Sequence, residues 1–133
     1  PVASGAHARL RKHFGRAVGR YEGSEEAVAG IGGPTDALTA LSRATAAAVD
    51  RGEKPAVTSA IAKYHCTELG REVSKDIMDV HGGKAVQLGP NNYAGRGWQT
   101  APIAITVEGA NIITRSLMIF GQGAIRCHPY VLR

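Results

Sequence analysis

The sequence predicts an all-α protein, an up-down helical bundle, and three observations carry that expectation. Apolar residues recur at helical spacing over long stretches. Those stretches end at junctions rich in Gly, Pro or Asn. Strand-like alternation is confined to residues 103–107. With 133 residues the chain holds at most one domain and one modest core. It starts at Pro1 without a charged-then-apolar leader and reads as a fragment or a processed chain.

Each element follows from local pattern. Ala3, Ala6, Leu10 and Phe14 form one apolar stripe, so residues 3–14 read as the end of a helix stopped by Gly15. Residues 15–23 make a short glycine-rich connection. Ser24 is placed as an N-cap, with Glu25 and Glu26 in the first turn where the helix dipole favours acids. The helix it opens runs towards Asp50, with a kink or break expected at Gly33-Pro34 because proline lacks the donor and restricts its predecessor. Arg51-Gly52 ends it. The strongest helical pattern covers residues 56–80, where Val57, Ile61, Tyr64, Leu69, Val73, Ile77 and Val80 form a long stripe. His81-Gly82-Gly83 terminates that helix. Residues 84–102, rich in Gly, Asn and Pro, read as a long loop carrying Tyr93 and Trp98. A last helix is expected from near Glu108 through Phe120, loosened at Gly121 and Gly123 and stopped at His128-Pro129. The sum is three long helices and a partial fourth.

Charge is unevenly spread over the net +5. Arg9, Arg11, Lys12, Arg16 and Arg20 cluster with His7 and His13 before the first acid, Glu22. Such a block is a solvated helix face, or it binds a phosphate-bearing ligand, an anionic membrane surface or nucleic acid. The scarcity of aromatic residues argues against a stacking platform for single strands, and nucleic acid is the least expected partner. Cys66 and Cys127 lie far apart outside any C-x-x-C pattern. They read as free thiols, with no metal site expected, which favours a reducing compartment and the cytoplasm. No apolar run reaches the ~18 residues of a membrane span.

Residues 105–115 single out one carboxylate. Glu108 stands among Ile103, Ile105, Val107, Ile112 and Ile113, with no acid downstream and none upstream nearer than Asp79. It is either an exposed acid at a helix start or a group placed for chemistry.

Three segments resemble a known family. Arg11-Lys12-His13-Phe14-Gly15 is similar to R-x-x-F-G, Met78-Asp79-Val80-His81-Gly82-Gly83 to Q-x-x-G-G, and Val107-Glu108-Gly109 to Y-E-G. These are landmarks of the C-terminal helical domain of acyl-CoA dehydrogenases, in the family's order and approximate spacing. The tail from Ile112 to Tyr130 resembles the long bacterial acyl-CoA dehydrogenases of fatty-acid β-oxidation. The resemblance covers nearly the whole chain. It implies that residues 1–133 are that domain, with the N-terminal helical and middle β-domains absent from it and the fragment alone inactive.

The resemblance further implies FAD as cofactor and acyl-CoA as substrate, oxidised to trans-2-enoyl-CoA. It implies electron-transfer flavoprotein as electron acceptor and a homo-oligomer in the cytoplasm, including its inner membrane face. Glu108 takes the place of the base for the α-proton. Its backbone N–H would also meet the thioester carbonyl. Arg11 matches the arginine that reaches the FAD diphosphate, His13 and Phe14 stand where the family touches the flavin nucleotide, and Gly82 and Gly83 match the pair that lets backbone approach it. Glu22, Asp79, Val107, Ala110 and Ile112 depart from the common pattern, and no flavin contact is carried onto Ala110 or Ile112. A second reading, resting on the charge block alone, is a helical binding or subunit-assembly module with a basic face for an anionic partner.

Overall fold

In the computed structural model, which describes residues 1–131, the chain is built almost wholly of helix. In order it forms α1 (Val2–Leu10), a hairpin of β1 (Lys12–His13) and β2 (Arg16–Ala17), a 3-10 turn (Val18–Arg20), then α2 (Glu22–Asp50) and α3 (Ala56–His81). After these come α4 (Gly83–Val86), α5 (Tyr93–Thr106), α6 (Asn111–Ile113), a π-helical stretch (Thr114–Gly121) and α7 (Gln122–Cys127). The all-α expectation holds.

The long antiparallel pair α2 and α3 is the backbone of the bundle. Ile31 on α2 meets Val73 and Val80 on α3, with Ala8 of α1 closing the cluster and Ala27, Val28 and Ile77 packed around it. The close approach of the two helices has a sequence cause at Gly30. A Cβ there would meet the Asp76 Oδ2 at 2.6 Å, so any larger residue would have to displace the Asp76 carboxylate. Of the kink or break expected at Pro34, the break does not occur; the helix runs through it as one element. Small residues surround the proline, the Thr35 hydroxyl donates to the Ile31 carbonyl at 2.6 Å, and packing against α3 outweighs the local signal. The helix also starts at Glu22 instead of after a Ser24 cap, because the Ser24 and Glu25 amides already bond the Tyr21 carbonyl.

Three other expectations are corrected. Helix α1 stops at Leu10, because Arg11 is extended and Lys12-His13 pairs with Arg16-Ala17 in antiparallel register. Gly15 is thus a turn residue and not a helix cap. Phe14 and Gly15 both have positive φ, 50° and 76°, as a two-residue type I′ hairpin requires. The buried face of α1 is Ser4 and Ala8, and the stripe Ala3, Ala6, Leu10 is exposed.

Residues 84–102 are mostly helical, and the alternation at 103–107 belongs to the end of α5. Asn92 explains why. Its Oδ1 accepts from the Gly95 amide at 2.8 Å as an N-cap, while Nδ2 donates to the Ala85 and Gln87 carbonyls at 2.7 Å each. One side chain thus starts α5 and ties it to α4. The last helix begins at Asn111, leaving Glu108 in the preceding loop. Among the described residues no single helix is long and apolar enough to cross a membrane.

Candidate functional site

A cleft of about 940 Å³ lies where α1, the hairpin and the C-terminal end of α3 meet. Ala3, Ala6 and Leu10, the exposed stripe of α1, form an apolar wall. Opposite stand Gly82 and Gly83, and the rim carries His7, Arg11, His13 and Lys84. Four of the six residues singled out in the sequence therefore share one cleft: Arg11, His13, Gly82 and Gly83.

Local structure fixes each of them. The Arg11 Nε donates to the His13 Nε2 at 3.2 Å, and its carbonyl accepts from the Val18 amide at 2.8 Å. The Tyr21 hydroxyl donates to the His13 carbonyl at 2.8 Å, while the Arg16 guanidinium lies 5.6 Å from the Tyr21 ring centre. Gly82 ends α3 with φ 55° and ψ −137°, a conformation that L side chains resist. A Cβ on Gly83 would meet nothing within 4 Å, so its backbone faces open space. The basic groups and this bare backbone form a concave surface suited to an anion.

The floor is polar and ordered. His81 is 5 % exposed; its Nδ1–H donates to the Ile77 carbonyl at 2.8 Å, and its Nε2 accepts from the Tyr93 hydroxyl at 2.6 Å. The His7 ring stacks on it with centroids 4.4 Å apart. Burial holds the His7 pKa below its ordinary value, and the nearby His81, Lys84 and Arg11 push in the same direction. His81 reads in the sequence only as part of a helix end; the fold makes it the centre of the cleft floor.

Phe14 and Glu108 lie apart from this cleft. Phe14 is at the hairpin tip, 101 % exposed. Glu108 is exposed in the loop between α5 and α6, with φ 54°, followed by Gly109 at φ 84°. That loop rests on the N-terminal half of α3. Lys63 Nζ donates to the Gly109 carbonyl at 2.7 Å and to the Asn111 Oδ1 at 2.5 Å, with a longer contact to the Ile105 carbonyl at 3.4 Å. The Thr114 hydroxyl also donates to the Gly109 carbonyl, at 3.0 Å. Asn111 Nδ2 donates to Thr67 Oγ1 and Glu68 Oε1 at 2.8 and 2.9 Å. From Lys63 to His81 the helical rise spans roughly 27 Å, so the loop and the cleft are separate places on one helix.

The model of the family described as "Acyl-CoA dehydrogenase, C-terminal domain" matches residues 2–121. The chain belongs to the acyl-CoA dehydrogenase family. Two solved structures share the fold of this dehydrogenase domain, each with a TM-score of 0.82. One is the FAD complex of PigA, at 16 % identity over 92 % of this chain and 31 % of that chain. The other is the glutaryl-CoA complex of glutaryl-coenzyme A dehydrogenase, at 24 % identity over 94 % of this chain and 31 % of that chain. The dehydrogenase domain thus spans less than a third of either structure it matches. Of the basic block, Arg11 lines the cleft beside His7 and His13, whereas Arg9, Lys12, Arg16 and Arg20 are exposed outside it.

Proposed function

We propose that this chain is the C-terminal helical domain, residues 1–133, of a flavin-dependent acyl-CoA dehydrogenase that oxidises acyl-CoA to trans-2-enoyl-CoA in fatty-acid β-oxidation. The observation that carries the reading is the convergence of Arg11, His13, Gly82 and Gly83 on one basic cleft in a chain of this family. FAD is the cofactor that fits there. Arg11, His13 and Lys84 offer charge-assisted donors to a diphosphate, and Gly82-Gly83 leaves backbone unobstructed beside it. The FAD of the PigA complex and the acyl-CoA of the glutaryl-CoA complex support the same assignment by likeness of fold.

The chemistry divides between the two places. When bound, the flavin supplies the hydride acceptor that no side chain provides. The Glu108 carboxylate takes the α-proton of the thioester, and its backbone N–H donates to the thioester carbonyl oxygen as negative charge develops there. Glu108 is exposed in this chain, so the walls that exclude water from it come from an N-terminal helical and a middle β-domain. Phe14, also exposed, meets the flavin nucleotide from a second side.

The family resemblance, in which helices of this domain contact the FAD of a neighbouring subunit, supports a homo-oligomer. Electron-transfer flavoprotein then reoxidises it, in the cytoplasm or at the inner membrane face. Visible absorption spectra test the assignment. The longer polypeptide carries stoichiometric flavin, the 133-residue chain alone does not, and Arg11→Gln weakens retention by roughly 10- to 100-fold, the worth of one charged hydrogen bond. Absence of flavin from both polypeptides contradicts the reading.

A further inference from the structure

We infer that Lys63 is a positioning residue for the Glu108 loop: its ammonium, through the Gly109 carbonyl, holds the backbone in the conformation that presents Glu108. The inference rests on Glu108 being the base, and it adds a residue that none of the three sequence landmarks contains.

Glu108 has a reason to move. It is a non-glycine residue at positive φ, its side chain is exposed, and among the described residues no hydrogen bond or ion pair of that side chain opposes relaxation of the backbone. Something else must hold it. The Gly109 carbonyl is the point of attachment, because both of its lone pairs are used, one by Lys63 and one by Thr114. Thr114 is 1 % exposed and therefore fixed.

Lys63 is specialised for this contact. Its three ammonium protons have three acceptors, and the two short bonds, 2.7 and 2.5 Å, go to the loop and to Asn111. The bond to the α5 end at Ile105 is the long one, 3.4 Å, so capping that helix is the lesser role. Asn111, 3 % exposed, has its oxygen taken by Lys63 and both amide protons taken by Thr67 and Glu68. Reversing that amide would set an NH2 against the ammonium, so the network has one arrangement. The other lysine and the arginine of α3 behave differently: Arg71 pairs with Glu68 and Lys75 with Glu72 within the helix. Lys63 has no acid three or four residues away in either direction. Its charge is directed across the fold and not along the helix.

The test uses the complete flavoprotein carrying this domain, with Lys63→Met, Lys63→Arg, Thr114→Val and the surface control Lys75→Met. Amide exchange in residues 107–111 is measured beside the rate of flavin reduction by acyl-CoA. Lys63→Met is expected to raise loop exchange and lower the reduction rate, each by about 10- to 100-fold, the effect of losing a charged hydrogen bond. Protection around Ile31 and Val73 stays intact and the substrate dissociation constant stays within about twofold. Lys63→Arg restores part of both effects, Thr114→Val gives a smaller rise in loop exchange, and Lys75→Met changes neither. Unchanged loop exchange in Lys63→Met overturns the proposal. So does exchange that rises equally through α2 and α3, which would make Lys63 a general stabiliser. If loop exchange rises while Glu108→Gln leaves flavin reduction untouched, the base assignment falls and the holding of the loop by Lys63 stands.

Discussion

Phe14 and Glu108 share a backbone state, with φ of 50° and 54°, and among the described residues they are the two non-glycine positions in the left-handed region. Both side chains are exposed, so neither conformation is compensated by packing of its own side chain within this chain. Strain of this kind is retained where the presented side chain has work to do against another surface. The two residues are also those of the sequence-derived set that the cleft leaves out, and the family resemblance sends both to the flavin or its substrate.

Phe14→Gly separates the two demands on the hairpin tip. Glycine accepts φ 50° without the steric cost, and Phe14 has no burial to lose. Stability in denaturant is expected to stay level or rise by up to about 1 kcal/mol. Flavin retention by the complete protein falls. A loss of stability greater than the loss of flavin would assign Phe14 to the fold instead.

The glycine pair makes a similar contrast. Gly82→Ala forces a side chain into φ 55° and costs about 1–2 kcal/mol of stability. Gly83→Ala has open space around its new Cβ and leaves stability within about 0.5 kcal/mol. It nevertheless narrows the approach to the cleft, so flavin titration of the complete protein weakens in Gly83→Ala without a matching change in unfolding midpoint.

His7 gives the cleft a pH signature. Its folded pKa lies below the unfolded value, so the unfolded chain binds the extra proton first. The corresponding stability is fully present above about pH 6.5 and is lost as pH falls from there through the folded pKa. His7→Gln is expected to flatten the unfolding free energy between neutral and mildly acidic pH. A diphosphate in the cleft should raise the His7 pKa, seen as an upfield-to-downfield shift of its ring protons at fixed pH on flavin binding.

Much of this was readable from residues alone, for identifiable reasons. The bounds of α3 follow from a stripe that lasts the whole helix, and Gly82 at its end needs positive φ. The hairpin was hidden because Ala3, Ala6, Leu10 and Phe14 keep helical period across the point where the chain turns extended. Their stripe is real, but it lines a cleft and not the core. Asn92 was a legible cap, obscured by Gly95, Gly97 and Pro102 inside the helix it starts. Lys63 had a signal in its missing helical partner, yet its acceptors lie more than forty positions downstream, beyond local pattern.

The central claim is that the Glu108 carboxylate removes the α-proton. Stopped-flow reduction of the complete flavoprotein by saturated acyl-CoA, comparing the native chain with Glu108→Gln, tests it most directly. The amide keeps the side chain's shape but cannot act as the base, so flavin should remain bound while its reduction slows by roughly 10²- to 10⁴-fold. Reduction at the native rate with Gln at that position would contradict the account.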